Sequence, residues 1–369
     1  MELTNLPKLG FGMMRLPKTG DEIDLPQVKD MVDAYMASGM CYFDTAYMYC
    51  DGKSEAVVKE ALVDRYPRDR FWLTTKLPIW LVETKEDRDC LFATQLQRTG
   101  AGYFDLYLLH SIEEGNIDKY LAYDCFSWAM EQKEKGLIRH FGFSFHGTPE
   151  LLDKLLTEHP EVEIVQIQLN YADWDNPMVQ SRRLYEVLRK HGKPILVMEP
   201  VKGGSLAATT EDVEQRMKAV LPEASVASWA LRFVGSLPGV VTILSGMSDR
   251  AQMADNVATL GTFRSLTEDE QAVIAYAQQA IAQSPAIPCT SCRYCMDGCP
   301  QGIHIPDVFR ALSTLRLYGE QAQPHEFYDN LIKTSGKASD CLQCGQCEGV
   351  CPQHLPIIEL LQEAASRLE

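Results

Sequence analysis

The sequence predicts an α/β chain in two parts. A (β/α)8 TIM barrel is expected over residues 1–275, and a smaller, mostly α-helical unit over 276–369. Three observations predict this division. Strand-like and helix-like stretches alternate about eight times in roughly 260 residues, the size of a closed parallel barrel. No Gly-x-Gly-x-x-Gly turn follows the first strand, which argues against an open doubly wound sheet. Eight of the 12 cysteines fall after residue 288, in two matching runs outside the alternating pattern.

The elements follow in order. Leu9–Met14 reads as a first strand, and Pro17–Asp24 as a polar hairpin. Pro26 opens a helix with Val28, Met31, Val32, Tyr35 and Met36 on one face, stopped at Gly39. Strand Phe43–Ala46 precedes helix Ser54–Tyr66, strand Phe71–Lys76 precedes Glu86–Arg98, and strand Asp105–His110 precedes Tyr120–Lys135. The alternation continues with strand Ile138–Ser144 and helix Pro149–Glu158, then strand Ile164–Asn170 and helix Pro177–Lys190. Strand Ile195–Glu199 leads through a glycine-rich loop to helix Ser225–Leu237, and strand Val240–Leu244 to helix Arg250–Leu260. Thr267-Glu268-Asp269-Glu270 is a capping pattern for a further helix, and Ser284–Pro288 is a short stiff connector.

Bulk properties narrow the function. A hydrophobic content of 46% supplies a large core, and a formal net charge of −16 argues against nucleic acid or anionic membrane as partner. The N-terminus lacks a basic-then-apolar signal pattern and no apolar run is long enough to span a bilayer, so a cytoplasmic protein is expected.

Three strands end in reactive side chains. Asp44, Lys76 and His110 close the second, third and fourth strands, and Tyr49 lies five residues past Asp44. In a barrel those ends share one rim, where such folds place their chemistry. A carbonyl reduced by hydride needs a proton on its oxygen. Tyr49 is the expected donor, Lys76 a cation that lowers the phenol pKa, Asp44 its counter-charge, and His110 a hydrogen-bond donor to the carbonyl. Taken singly, each has a plain structural reading as an ion pair or a satisfied rim residue. It is the grouping that points to catalysis.

These residues resemble a known family. Phe43-Asp44-Thr45-Ala46-x-x-Tyr49, Lys76, Asp105–His110, Gly142-Phe143-Ser144 and Asp255-Asn256 are similar to the aldo/keto reductases, from about Leu9 to Leu260. The resemblance implies an NAD(P)H-dependent oxidoreductase acting on a small aldehyde or ketone, with NADP or NAD extended across the rim. Ser144 and Gln168 would hold the carboxamide, and Asp255 and Asn256 would meet the adenine. Met198 takes the place of the usual aromatic residue on the nicotinamide. Lys202, Gly203 and Gly204 would line the pyrophosphate through backbone amides. Gly246 and Gln252 replace the basic residues expected near a 2′-phosphate, leaving Arg250 as the nearest cation and the choice of NADPH or NADH open. Phe145 stands where the family has asparagine, followed by His146. Tyr47, Met48, Trp80 and Trp174 would form an apolar rim for substrate.

The cysteine runs are a duplication. Cys289-x2-Cys292-x2-Cys295-x3-Cys299-Pro300 recurs as Cys341-x2-Cys344-x2-Cys347-x3-Cys351-Pro352. Three cysteines at two-residue gaps wrap one face of a [4Fe-4S] cluster, and the fourth, before proline, ligates the partner cluster. Cys289, Cys292 and Cys295 are therefore paired with Cys351, and Cys341, Cys344 and Cys347 with Cys299. Zinc sites, built from cysteine pairs, would leave cysteines unused. The helical insert indicates a mostly α-helical, ferredoxin-like unit, expected beside or over the barrel mouth. It resembles the extension carried by a subgroup of the same family. Two other functions stay open: electron transfer to a redox protein partner, and a redox-sensing regulatory subunit.

Overall fold

Eight parallel strands close into a barrel in the computed structural model, which describes residues 2–20, 22–319 and 322–369. We number them β1 (Leu9–Gly12), β2 (Tyr42–Asp44), β3 (Trp72–Leu77), β4 (Phe104–Ile112), β5 (Ile138–Phe145), β6 (Ile164–Gln168), β7 (Ile195–Met198) and β8 (Val240–Ser245). Each pairs with its sequence neighbour, and β8 returns to β1 through Leu9↔Ile243, so the barrel itself has no open strand edge. The strands read as apolar runs because the barrel packs both faces. Tyr42, Leu106, Leu108, Ile164, Leu196 and Leu244 belong to one buried cluster, and a larger one lies between strands and helices. In β5, a Cβ on Gly142 would sit 2.1 Å from the Ile164 carbonyl oxygen, so only glycine permits this strand contact.

The helices differ from expectation where the backbone turns left-handed or widens. Ser54–Val58 continues as a π-helical turn, Lys59–Val63. The helix after β4 is two, Ile117–Ala122 and Cys125–Glu134, divided by Asp124 at φ 50°. The helix expected from Pro177 starts at Ser181, behind Gln180 at φ 53°. A helix that hydrophobic periodicity passes over, Glu211–Val220, lies in the long connection after β7. Its Val213 and Met217 join Trp229, Ile274 and Ala277 in a satellite core. The capping box at Thr267 and Glu270 forms, and Arg232 also clasps Glu270 at 2.6 and 2.9 Å.

The C-terminal part has a core of its own. Helices Ile305–Tyr318 and Ile357–Leu368 bring together Val308, Leu312, Leu315, Leu361 and Ala364. The duplication is geometric as well as sequential. Tyr294–Asp297 and Gln346–Gly349 are matching short helices, each entered through two left-handed residues. The amides of Ser291 and Gln343 donate to the Cys289 and Cys341 sulfurs, both at 3.4 Å. This part lies over the C-terminal ends of the barrel strands, as expected, and Thr290, Cys292, Tyr294, Pro352 and Gln353 reach the barrel mouth. Among the described residues no helix is long and apolar enough to cross a membrane.

Candidate active site

The strand ends converge as a barrel requires. Lys76 is wholly buried, and its Nζ donates to Asp44 Oδ1 at 2.6 Å, to the Thr45 carbonyl at 2.9 Å and to the Tyr49 hydroxyl at 3.1 Å. The three hydrogens of the ammonium thus go to a carboxylate, a backbone oxygen and the phenol. The His110 ring meets Tyr49 edge-on at 6.0 Å and Trp80 at 5.1 Å. Buried Nδ1 of His110 and Oδ2 of Asp44 find no hydrogen-bond partner among the described residues. Such atoms cost about 1–3 kcal/mol each when left unpaired, a cost often met at sites built for a ligand.

The electrostatics correct one expectation. From sequence, Lys76 is expected to make the Tyr49 phenol more acidic. Instead burial, then the negative charges of Asp44 and Glu199, push Tyr49 well above its ordinary value, with the nearby Tyr294 acting the other way. The physical reason is neutralisation: Asp44 offsets the Lys76 charge at 2.6 Å, and dry surroundings penalise a phenolate. Burial pushes Asp44 up and Lys76 down, and their mutual contact opposes both shifts. Burial, followed by the charges of Lys76 and His146, holds His110 well below its ordinary value, so its ring is neutral near pH 7. His146 is held at about 4 by burial and then by His354.

A cavity of about 350 Å³ runs from this corner along the rim. Asp44 and Tyr49 line it, as do Gln252, Asp255 and Asn256 after β8. Gly12, Arg15, Gln166, Gln168, Met198, Glu199, Gly203 and Gly246 complete much of its wall. Asn256 Nδ2 donates to Ser245 at 2.8 Å, Asp255 accepts from Ser225 at 2.6 Å, and Asp249 caps the helix at the Gln252 amide at 2.8 Å.

Other expected contacts lie elsewhere. Ser144 is off the cavity wall, its Oγ accepting from the Ser111 amide at 2.6 Å. Arg250 is turned away and pairs with Asp30 at 2.5 Å, because the helix it starts packs against helix Leu25–Ala37. Buried Lys202 pairs with Asp173 and with Gln353 rather than lining the wall. Trp174 packs on Tyr185 and Phe233, and Tyr47 on Arg98, which takes both out of the expected apolar rim. Exposed Met48 and Trp80 remain.

Four residues of the site escape a reading of the sequence. Arg15, in the loop after β1, carries the one fixed positive charge among the described residues of the cavity wall. It donates to the Thr290 carbonyl at 2.8 Å and lies 3.7 Å from Glu199. Glu199 follows β7 at φ 55°, with its pKa raised by burial. Gln353 forms a reciprocal amide pair with Gln168 at 2.8 and 3.2 Å. Tyr294 shares the cavity wall with Tyr49. The last two come from the cysteine-rich part, and only their adjacency to cysteines could have marked them. Gly203 has a reason that its loop does not suggest. At φ 64°, a Cβ there would lie 2.2 Å from the Thr290 carbonyl oxygen.

Two small cavities organise the cysteines. One is lined by Cys289, Cys292, Cys295 and Cys351, the other by Cys299, Cys341, Cys344 and Cys347. Each takes three sulfurs from one run and one from the other. Among the described residues no three Cys, His, Asp or Glu side chains converge as they would on a single ion. Four sulfurs ringing a space suit a cluster, whose irons lie between sulfur and centre. Thr290, Cys292 and Gln353 line both the first of these cavities and the large one.

Residues 8–278 match the aldo/keto reductase family. The chain belongs to that family. Residues 288–355 match the 4Fe-4S dicluster domain, so this aldo/keto reductase carries a C-terminal iron–sulfur domain. An uncharacterized oxidoreductase of Bacillus subtilis, YqkF, is 25% identical over 297 residues, covering 72% of this chain and 90% of the relative. An aldo-keto reductase of Mycolicibacterium smegmatis is 30% identical over 208 residues, covering 55% and 67%. In fold, the chain is similar to a Klebsiella pneumoniae aldo/keto reductase solved with NADP and acetate. The TM-score is 0.61 at 22% identity, over 74% of this chain and 92% of that one.

Proposed function

We propose that this aldo/keto reductase transfers hydride from NAD(P)H to a small aldehyde or ketone, with Tyr49 as the proton donor. The observation that carries the reading is the cavity, whose one wall holds the Asp44–Tyr49 corner together with Asn256 and Asp255. A dinucleotide laid along it would put its nicotinamide by Tyr49 and Met198, its phosphates by Arg15, and its adenosine by Gln252, Asp255 and Asn256. A phenol above its ordinary pKa still serves reduction, because the alkoxide left by hydride transfer is a stronger base than a phenolate and takes the proton from it. Lys76 stabilises the phenolate that remains, and neutral His110 donates to the substrate oxygen. The Klebsiella protein solved with NADP supports this cofactor class.

Tyr49→Phe tests the reading. Carbonyl reduction is expected to fall about 10²- to 10⁴-fold, the usual worth of a general acid. Dinucleotide affinity, measured by fluorescence, and the cluster absorbance should stay unchanged. Retained turnover would assign the proton to another group.

The two four-cysteine rings would each hold a [4Fe-4S] cluster, which supplies one-electron exchange when bound. Cys299→Ser tests the grouping. Although Cys299 lies in the first run, the variant should lose the cluster of the second run, about half the iron, and keep the other's electron paramagnetic resonance signal. A second reading, electron exchange between the cavity and the nearer cluster, is favoured by Cys292 lining both spaces. Anaerobic NADPH without carbonyl should leave the cluster absorbance unbleached if the reductase reading is right.

A further inference from the structure

The cavity wall carries little positive charge. Among its described residues Arg15 is the single lysine or arginine, against the carboxylates of Asp44, Glu199 and Asp255. We propose that the cavity selects NADH over NADPH, because its wall offers a 2′-phosphate no cation of its own. This inference rests on the reductase reading of the same site and names its cofactor.

The two dinucleotides differ by one group. Both carry a pyrophosphate, and NADPH adds a phosphate monoester of about −1.5 to −2 charge at pH 7. Each cation near the cavity already has an anion. Lys76 pairs with Asp44 at 2.6 Å. Arg15 donates through Nη2 to the Thr290 carbonyl at 2.8 Å and lies 3.7 Å from Glu199. Its stem runs along Gly246, where a Cβ would sit 3.1 Å from both the arginine Cβ and Cδ. His146, the histidine of the wall, is held at about 4 and is neutral near pH 7. One guanidinium thus faces a carboxylate and a pyrophosphate before any third phosphate arrives, wherever the adenosine lies along the wall.

The residues after β8 turn that shortage into a preference. Arg250 is drawn off to Asp30 at 2.5 Å. The start of its helix is engaged by its own side chains. Asp249 accepts from the Gln252 amide at 2.8 Å, and Gln252 Oε1 from the Ser248 amide at 2.9 Å. An aspartate at the cap also offsets the positive end of the helix, which would otherwise attract a phosphate. Asp255 accepts from the Ser225 hydroxyl through Oδ2 at 2.6 Å, which leaves Oδ1 to accept from a ribose hydroxyl. A carboxylate that binds a 2′-hydroxyl repels a 2′-phosphate in the same place.

The experiment is a fluorescence titration of the cluster-loaded protein with NADH and with NADPH, without carbonyl. NADH is expected to bind about 10- to 100-fold more tightly, the worth of one hydrogen bond to a charged group. Salt supplies a second readout. Repulsion is screened as the Debye length falls from about 30 Å at 0.01 M to about 8 Å at 0.15 M, so the gap between the two should narrow. A wall that attracts the extra phosphate would show the gap moving in favour of NADH as salt rises, which would overturn the proposal. Gln252→Arg, at an exposed position, adds the missing cation and should tighten NADPH about 10-fold while changing NADH less. A ratio unmoved by that variant overturns the proposal, as does wild-type protein that binds NADPH as tightly as NADH. Tight NADPH binding with carbonyl reduction intact sinks this inference alone. Failure of both dinucleotides to bind sinks the reductase reading itself.

Discussion

Lys76→Met will abolish carbonyl reduction and destabilise the barrel by about 3–5 kcal/mol, the cost of breaking one side of a buried ion pair. Methionine keeps the stem that fills the space between β2 and β4 but removes the ammonium. Asp44, 2% exposed, then has lost its partner, and Oδ2 already had none. Its carboxyl must protonate to stay buried. The pH dependence follows from that. Burial already raises the Asp44 pKa, and Lys76 supplies both influences that lower it, so the variant raises it further. A carboxyl with a folded pKa above its unfolded value binds more protons folded than unfolded. The variant's stability is therefore greatest below the unfolded Asp value of about 3.9 and falls as pH rises toward the raised folded pKa. Urea unfolding at pH 5 and pH 8 should show the larger deficit at pH 8. Adding Asp44→Asn to Lys76→Met should recover much of the stability and none of the activity. A stable, active Lys76→Met would remove the pair from the mechanism.

The convergence of side chains at the strand ends was legible because strand periodicity and barrel topology together give every strand end an address. Asp44, Lys76 and His110 needed only those two facts. The cysteine grouping was legible for a similar reason, since spacing within each run and the proline after each fourth cysteine are local. What stayed hidden depended on contacts between distant segments. Arg15 pairs with Thr290, 275 residues away, and Gln168 with Gln353, 185 residues away. Arg250 was misread because its spacing suggested the rim, whereas tertiary packing gives it Asp30. The Tyr49 pKa was misread because a sequence shows that a cation is near without showing that an anion lies nearer to it. Helix Glu211–Val220 escaped because its polar positions outnumber the two residues it buries, Val213 and Met217. Local pattern thus located the side chains that converge at the strand ends, while the lid that encloses them is a property of how two separately legible parts meet.

That meeting is most exposed to test at Gly203→Val, which should lower dinucleotide affinity more than 10-fold and remove activity while leaving both clusters in place. Two effects act together there. The residue sits at φ 64°, a region that a β-branched side chain resists by about 1–3 kcal/mol. Its Cβ would also lie 2.2 Å from the Thr290 carbonyl oxygen and 2.7 Å from the Thr290 Cα. Both obstacles are backbone, so no rotamer relieves them, and the domain must shift away from the cavity. Arg15 then loses the Thr290 carbonyl and the wall opens to water, which weakens every charge interaction inside. Gly204→Ala separates strain from displacement. Gly204 is at φ 99°, and a methyl group there would meet nothing within 4 Å among the described residues, so alanine faces the backbone penalty alone. It should lower thermal stability and leave affinity close to wild type. Equal losses of affinity in both variants would mean that loop strain, rather than the seat of the iron–sulfur domain, sets the shape of the cavity.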